Sequence, residues 1–222
     1  VYNTSTCTVG GDLIIPTTTP TKYGYHFVGW GPYSLVEYIQ STGTQYINTD
    51  YIPSTQNVTY AFSVQSTSNS VGEYHPLRIA CGRIQFYQSD GIYWKIYEQN
   101  PTFVGVTSYK LNQKTDVVIN NNYDANTLSI SINNTNLQTG ATSRSNACAT
   151  GTQLFSLGRD GSYPFIGKMY YYKIYDNGVL AFNAVPFRRN TDGAIGMFDT
   201  VSGTFLQNSG TGDFIPGPTI NQ

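Results

Sequence analysis

Two tight-turn sequences within the last fifty residues most constrain the fold of this chain. Asp-Asn-Gly at 176–178 separates two apolar, aromatic-rich runs, and Val-Ser-Gly at 201–203 separates two more. Asn and Gly tolerate the positive φ angles that a tight turn requires, so each sequence predicts a β-hairpin. No helical periodicity lies between the two turns. The C-terminal quarter is therefore expected to form an antiparallel sheet.

The rest of the chain shows the same pattern of short strands and turns. Val58, Tyr60, Phe62 and Val64 alternate with Thr, Ala and Ser, which is typical of a half-buried strand. Further strands are predicted over 36–39, 45–49, 84–86, 92–97, 116–119, 128–132, 154–157 and 165–175. Many short strands with almost no helical pattern are typical of a β-sandwich or a β-barrel.

One predicted strand does not follow a simple alternation. In residues 169–174 the odd-numbered and the even-numbered positions both carry apolar or aromatic residues, so the pattern does not say which face of the strand lies against the core. Either a bulge shifts the register in this strand, or both of its faces are covered.

The composition argues against charged partners. Charged residues make up 11% of the chain and the formal net charge is −1, whereas about a quarter of a typical domain is charged. Lys and Arg cluster only at Arg188-Arg189, a pair that is explained by a solvated strand end. We therefore expect no nucleic-acid partner and no binding to anionic membranes. The high content of Thr, Asn and Tyr is associated with exported, surface-exposed β-proteins, so an extracellular location is expected.

The sequence shows neither a membrane-spanning pattern nor a full set of cysteine pairs. No apolar run approaches the ~20 residues of a spanning helix, and no leader-like stretch opens the chain at Val1. The chain is therefore expected to be a mature product or an excised fragment, without membrane insertion. Cys7, Cys81 and Cys148 lack metal-ligand spacing; a Cys81–Cys148 disulfide and buried free thiols are the two interpretations.

Residues 1–33 are predicted to form a separate N-terminal β element, with a boundary near Pro32. The segment 20–30, Pro-Thr-Lys-Tyr-Gly-Tyr-His-Phe-Val-Gly-Trp, ends a short alternation and is followed by Gly-Pro. It resembles the last strand of the internalin B-type repeat of bacterial surface proteins. The resemblance implies that residues 1–33 are a remnant of such a repeat.

Several motifs after residue 34 resemble a second family. They are Tyr-Ile-Gln-Ser-Thr-Gly-Thr-Gln-Tyr-Ile at 38–47, Gly-Arg at 158–159, Gly-Lys-Met-Tyr at 167–170, Lys-Ile-Tyr-Asp-Asn-Gly at 173–178 and Gly-Met-Phe-Asp-x-x-Ser-Gly at 196–203. Together they resemble the laminin-G-like, concanavalin-A-like jelly-roll domains of gut bacterial surface proteins and phage virion proteins. The resemblance implies an all-β antiparallel sandwich over residues 34–222. It does not indicate a ligand, because this fold carries lectins, adhesins, spacers and some glycosidases.

No catalytic constellation is visible. Glycosidases need two carboxylates flanking the sugar bond, and the three glutamates Glu37, Glu73 and Glu98 are isolated from other carboxylates. His26, in the N-terminal element, and His75, in a predicted loop beside a proline, lie near no nucleophile signature. We therefore expect a protein without enzymatic activity, and rank a glycoside hydrolase behind the binding functions.

No cofactor is predicted, although calcium is left open. Domains of the resembled type often hold calcium with Asp or Asn side chains and loop carbonyls. The available clusters are Asp160 within the Gly-rich loop 158–162, and Asn120–Asn122 with Asp124. The alternative is that these residues form Asx-turns that satisfy their own backbone.

Aromatic side chains provide the candidate glycan site. If Ile92, Trp94 and Ile96 face the core, Tyr93 and Tyr97 lie one above the other on the outer face of their strand. Such a pair can stack against a sugar ring, or it can be a cross-strand pair that stabilises the sheet. Arg159, Asp160 and Tyr163 in the Gly-rich loop are further candidates. On the same reasoning, the predicted core contains Phe62, Ile92, Trp94, Ile130 and Ile174.

These observations predict a non-catalytic recognition or adhesion module of an extracellular surface protein or phage virion protein. Its predicted partner is a glycan or a cell-surface receptor. The alternative is a structural decoration or spacer domain that binds only protein partners within a larger multidomain or multimeric assembly.

Overall fold

A computed structural model describes residues 33–55, 57–68, 74–79, 84–89, 93–99, 102–108, 111–140, 151–156 and 161–220. Of the strands between residues 74 and 108, and of residues 137–140, the backbone alone is described. The described residues form 17 strands and contain no helix, hence none able to cross a membrane. The strands are β1 (Tyr33–Leu35), β2 (Ile39–Thr42), β3 (Ile47–Asn48), β4 (Val58–Ser66), β5 (Tyr74–Ile79), β6 (Ile84–Ser89), β7 (Tyr93–Gln99), β8 (Thr102–Ser108), β9 (Thr115–Asn122), β10 (Thr127–Ile132), β11 (Thr135–Gly140), β12 (Gln153–Leu154), β13 (Ile166–Asp176), β14 (Val179–Arg189), β15 (Ile195–Asp199), β16 (Thr204–Leu206) and β17 (Ile215–Pro216).

The strands form two antiparallel sheets. The larger sheet has eleven strands and runs β11-β10-β9-β4-β13-β14-β15-β16, with β1 beside β14, β2 beside β13 and β17 beside β2. The smaller sheet has six strands in the order β3-β12-β5-β6-β7-β8. Ile47 and Leu154 of the smaller sheet are fully buried in one core with Phe62 and Ile174 of the larger sheet. The predicted all-β sandwich is therefore confirmed, whereas the division at residue 33 stays a prediction because residues 1–32 lie outside the described residues.

The core follows the alternation seen in the sequence. Phe62, Ile130 and Ile174 are at most 1% exposed, which confirms three of the five predicted core residues. The other two, Ile92 and Trp94, lie outside the described side chains. Each large apolar side chain buried in this way stabilises the fold by about 1.5–3 kcal/mol relative to an exposed one.

Both predicted hairpins are present at the C terminus. Asn177 and Gly178 have φ angles of 49° and 79° and join β13 to β14 as a two-residue turn. Gly203, with a φ of 73°, lies in the four-residue turn between Asp199 and Thr204. Both turns use the positive φ angles that the Asn and Gly residues were expected to supply.

A bulge resolves the ambiguous strand. The pairing of β13 with β4 shifts register between Met169 and Tyr171. Met169, Tyr172 and Ile174 are fully buried, whereas Tyr170 and Tyr171 are only half-buried. The extra residue lets apolar side chains of opposite parity reach the same core, which confirms the first of the two interpretations.

One local prediction is wrong. His75 was expected in a loop, but it lies in β5. The pairing of β5 with β6 is irregular between Tyr74 and Leu77, where Pro76 lies. Because proline has no N–H to donate, it is tolerated in a strand where the ladder is interrupted.

Strand β13 organises one end of the larger sheet. It pairs with β4 along its length and, on its other side, with β2 and then β14. At its last residue, Asp176 is opposite Val58, and Val58 is opposite Asn121 of β9. The segment before β4 and the turns after β9 and β13 therefore meet at the same end of the sandwich.

We expect Gly167→Ala to destabilise the fold. A Cβ atom at Gly167 would lie 2.4 Å from the carbonyl oxygen of Gln65 and 2.5 Å from the ring of Phe165. Overpacking of this kind costs about 1–3 kcal/mol. Urea denaturation should show a lower free energy of unfolding, and an unchanged value would contradict the tight approach of β4 to β13.

Candidate functional site

The two tyrosines predicted as a stacking platform lie in the smaller sheet. Tyr93 and Tyr97 belong to β7, an inner strand between β6 and β8. Tyr93 is opposite Ser108, and Tyr97 is opposite Val104. Their side chains lie outside the described part of the structure, so a stacking platform and a cross-strand pair both stay predictions.

The predicted loop site is described in part. Arg159 and Asp160 lie outside the described residues. Tyr163 is 54% exposed and has a φ angle of 51°. The start of its loop packs closely on Tyr46, because a Cβ atom at Gly161 would come within 2.6 Å of that ring. Tyr163 thus stays a candidate for ligand contact.

The side chains of the asparagine cluster considered for calcium differ in burial and in hydrogen-bond partner. Asn120 is exposed and its Oδ1 accepts a hydrogen bond from a threonine hydroxyl of β4, whereas Asn121 is 2% exposed. Asn122 Oδ1 accepts a hydrogen bond from the backbone N–H of Ala125 at 3.0 Å, which is the predicted Asx-turn. Within the described residues, no group of three or more His, Cys, Asp or Glu residues is arranged to hold a metal ion.

A cavity of about 290 Å³ opens where β4 begins and where β9 and β13 end. It is lined by Thr55, Asn57, Tyr123, Asp124 and Asn177. Its volume lies just below the ~300–1,000 Å³ range of small-molecule sites. The cavity therefore suits one small polar unit, such as the end of a longer ligand.

A reciprocal hydrogen-bonded pair forms one wall of this cavity. Asn57 Nδ2 donates to Asp124 Oδ2 at 2.5 Å, and the backbone N–H of Asp124 donates to Asn57 Oδ1 at 3.3 Å. The pair joins the segment before β4 to the β9–β10 turn and restricts the rotation of both side chains. Asp124 Oδ1 accepts no hydrogen bond from any described residue, so this oxygen is available to a ligand.

The β13–β14 turn adds an amide to the cavity, and the β9–β10 turn adds an aromatic ring. The backbone N–H of Asn177 donates to the carbonyl oxygen of Asn57 at 2.8 Å, which holds the β13–β14 turn against the same segment. Within the described structure the side-chain amide of Asn177 makes no hydrogen bond, so it can both donate and accept. Tyr123 is 37% exposed. The cavity thus combines an aromatic ring, two amides, two hydroxyls and one carboxylate.

Asp176 supports the cavity from behind. It is 8% exposed and accepts hydrogen bonds from the backbone N–H of Ser54 at 2.6 Å, from Ser54 Oγ at 2.7 Å and from the backbone N–H of Thr55 at 3.1 Å. Thr55 Oγ1 donates to it as well. Burial raises the pKa of Asp176, but the hydrogen bonds from Thr55 and Ser54 together outweigh it and hold the pKa below its ordinary value.

Sequence reasoning identified these residues only separately. Asp124 was considered for calcium and Asn177 for a turn, whereas Asn57 and Tyr123 were not predicted as ligand-binding residues. They meet because β13, β4 and β9 are neighbours, although the three turns lie far apart in the chain. The sequence contains one partial signal, which is that the turns after β9 and β13 are rich in Asn and Asp.

The fold is similar to that of solved carbohydrate-binding domains. No known protein family matches the sequence, and no curated protein matches it. A candidate carbohydrate-binding protein from Bacteroides ovatus superposes with a TM-score of 0.63 at 12% identity, over 85% of this chain and 61% of that one. The Ruminococcus gnavus IT-sialidase CBM40, solved with α2,3-sialyllactose, superposes with a TM-score of 0.51 at 13% identity, over 63% of this chain and 89% of that one.

At these identities the similarity establishes the fold. The chain shares the antiparallel β-sandwich fold of these domains, which is the fold class expected from its motifs. It spans about three fifths of the length of the Bacteroides ovatus protein.

We expect Asp176→Asn to lower stability in a pH-dependent way. The folded-state pKa of Asp176 lies below the unfolded value of about 3.9, so its contribution is present above that pH and is lost as the pH falls through the folded-state pKa. At pH 7 the variant should lose about 1–3 kcal/mol of unfolding free energy, because hydrogen bonds to a buried charge are lost. The difference from wild type should shrink toward pH 2.

Urea denaturation of both proteins across this pH range measures the difference. Asp213→Asn is the matched control, because Asp213 is exposed and accepts no hydrogen bond from the described residues. Wild-type and Asp176→Asn curves that run parallel at all pH values would contradict the assigned role.

Proposed function

We propose that the chain is a non-catalytic glycan-binding module whose cavity at the end of β4, β9 and β13 holds one sugar unit. The observation that carries this proposal is the convergence of Tyr123, Asn57, Asn177 and Asp124 on one small open cavity. Sugar hydroxyls both donate and accept, and amides and carboxylates match them in fixed directions. The face of an aromatic ring packs against the C–H face of a pyranose.

The carboxylates of the cavity support binding without hydrolysis. Glycosidases place two carboxyl groups roughly 5–9.5 Å apart across the scissile bond. In this cavity one carboxylate, that of Asp124, lines the wall. The oxygens of Asp176 behind it are occupied by Ser54 and Thr55, so Asp176 is a structural group and not a proton donor to a ligand.

The shared fold supports glycan binding, and the composition supports an extracellular location. The two similar domains are named for carbohydrate binding, one of them from a structure with sialyllactose. With 11% charged residues and many Thr, Asn and Tyr residues, the chain suits an extracellular protein of a bacterial surface or of a phage virion. There the module would hold its parent protein to a glycan or to a cell-surface receptor.

A spacer that binds protein partners is the second candidate function, and an aromatic cluster favours it. The rings of Tyr33, Phe187, Phe198 and Phe205 are half-buried on the larger sheet. The Tyr33 ring centroid lies 4.8 Å from that of Phe198 and 5.4 Å from that of Phe205. Partly exposed apolar rings of this kind are enriched at protein interfaces.

Alanine substitutions in the cavity test glycan binding. The wild type should bind at least one saccharide on a glycan array, with an affinity measurable by calorimetry. Asn177→Ala and Tyr123→Ala should each weaken binding by about 1–2 kcal/mol, because a hydrogen bond or a ring contact is lost. Tyr123 is an exposed turn residue, so its substitution should change the melting temperature little. Asn177→Ala should lower the melting temperature by a few degrees, because alanine is strained at the φ of 49° that Asn177 adopts.

Two results would contradict the proposal. No saccharide binding by the wild type would favour the spacer function. Binding that survives both substitutions would place the ligand elsewhere, with the loop of Tyr163 next to be tested. Repeating the titration with EDTA shows whether calcium takes part.

The tyrosines of β7 provide an independent test of location. If the cavity is the site, the double variant Tyr93→Ala/Tyr97→Ala should bind the same saccharide with wild-type affinity. A loss of about 1–2 kcal/mol of binding free energy with an unchanged melting temperature would instead assign the site to β7. A large drop in melting temperature would identify the two rings as sheet-stabilising pairs.

A further inference from the structure

Resting on the proposed function, we propose that the cavity selects uncharged saccharide ends and rejects carboxylated ones, and that Asp124 determines this specificity. The inference concerns the class of sugar and not merely the presence of a site. It follows from the charges around the cavity and from the way Asp124 is held.

The cavity wall carries negative charge and lacks a described cation. Asp124 lines it, and Asp176 lies directly behind the lining residue Thr55. None of the five lining residues is Lys or Arg. A carboxylated sugar would therefore bring its charge beside Asp124 without a described partner to neutralise it.

Five Lys and Arg side chains are described, and none of them lines the cavity. Lys168 Nζ lies 4.0 Å from the ring centroid of Tyr38, and Lys114 Nζ lies 4.6 Å from that of Tyr170. Arg189 forms a bidentate ion pair with Asp192, in the turn that follows β14, at the end of that strand that is far from the cavity. The other two of these five side chains are Lys173, whose Nζ lies 5.4 Å from the ring centroid of Tyr171, and Arg188, whose Nη2 lies 3.5 Å from Thr219 Oγ1.

The orientation of Asp124 suits a pair of neighbouring hydroxyls. Its Oδ2 is held by Asn57 Nδ2, which directs Oδ1 and the remaining lone pair of Oδ2 away from that bond. A carboxylate in a fixed orientation accepts hydrogen bonds from two adjacent hydroxyl groups, and such charge-assisted bonds are stronger than neutral ones. The same oxygens repel a second carboxylate, so one side chain both attracts a neutral diol and excludes an acid.

The two amides that line the cavity do not offset this repulsion. Asn57 is already paired with Asp124, and Asn177 carries no net charge. Specificity of this kind comes from an unfavourable contact with the wrong ligand, in addition to favourable contacts with the right one. Because the cavity is open to solvent, the discrimination should depend on ionic strength.

Matched pairs of saccharides test the inference. The probes are neutral oligosaccharides and their acidic counterparts: galactobiose with digalacturonate, cellobiose with cellobiouronate, and lactose with 3′-sialyllactose, together with any further neutral array hit and its uronate. Wild type should bind the neutral member of a pair at least about tenfold more tightly, as like-charge contact requires. Raising the salt from about 0.01 M to about 1 M shortens the Debye length from about 30 Å to about 3 Å, and should reduce the ratio.

Asp124→Asn isolates the charge, because the amide oxygen can still accept the hydrogen bond from Asn57. In this variant binding of the neutral member should weaken several-fold, and the ratio should fall toward one. Asp213→Asn is the matched control, since it removes one exposed carboxylate near the opposite end of β13, where Gly212 lies beside Gln45. It should leave both affinities and the ratio unchanged.

The outcomes separate this inference from the proposed function. Absence of binding to every saccharide overturns both. Binding of an acidic member as tight as that of its neutral partner, and lost in Asn177→Ala, overturns the specificity while the glycan site stands. If the ratio of neutral to acidic affinity is unchanged in Asp124→Asn, the shape of the cavity, and not the charge of Asp124, excludes the acidic saccharide. This result also overturns the inference.

Discussion

The pairing of β13 with β4 is the constraint on which the rest of the structure depends. β13 has eleven residues, and its ladder with β4 runs from Gly167 to Asp176. Its inner face contributes Met169, Tyr172 and Ile174 to the core, and the bulge between Met169 and Tyr171 keeps all three on that face. Without the bulge, residues after it would change sides, because side chains alternate along a strand. The ladder therefore sets both the core and the position at which β13 ends.

The residues at the end of β13 hold the segment that lines the cavity. Asp176 accepts hydrogen bonds from Ser54 and Thr55, and Asn177 donates through its backbone to Asn57. The segment before β4 is thus fastened to the hairpin by a buried charge and by backbone bonds. Such bonds cost more to break than exposed ones, since the partner left behind is desolvated. The cavity wall is consequently part of the folded framework.

The candidate site obtains its chemistry from few residues. One carboxylate, two amides, two hydroxyls and a ring would suit the proposed polyhydroxylated ligand, and none of the five lining residues is Lys or Arg. The carboxylate belongs to Asp124, which is held by Asn57. In a site this small, the proposed binding and discrimination would depend on one oriented charge more than on buried area. The aromatic cluster around Tyr33 is separate from this site, and the second candidate function rests on it.

Local sequence patterns determined the fold class and its turns. The alternation over 58–64 and the Asp-Asn-Gly turn each involve residues only a few positions apart in the chain. They can therefore be recognised without a structure. The placement of His75 was predicted incorrectly because a strand that is interrupted at Pro76 looks like a loop. Only the tertiary structure decided that Asn57, Asp124 and Asn177 share one cavity. Their meeting depends on the order β13-β4-β9, which is set by pairing between distant segments and by burial of a common core, and no local pattern encodes it.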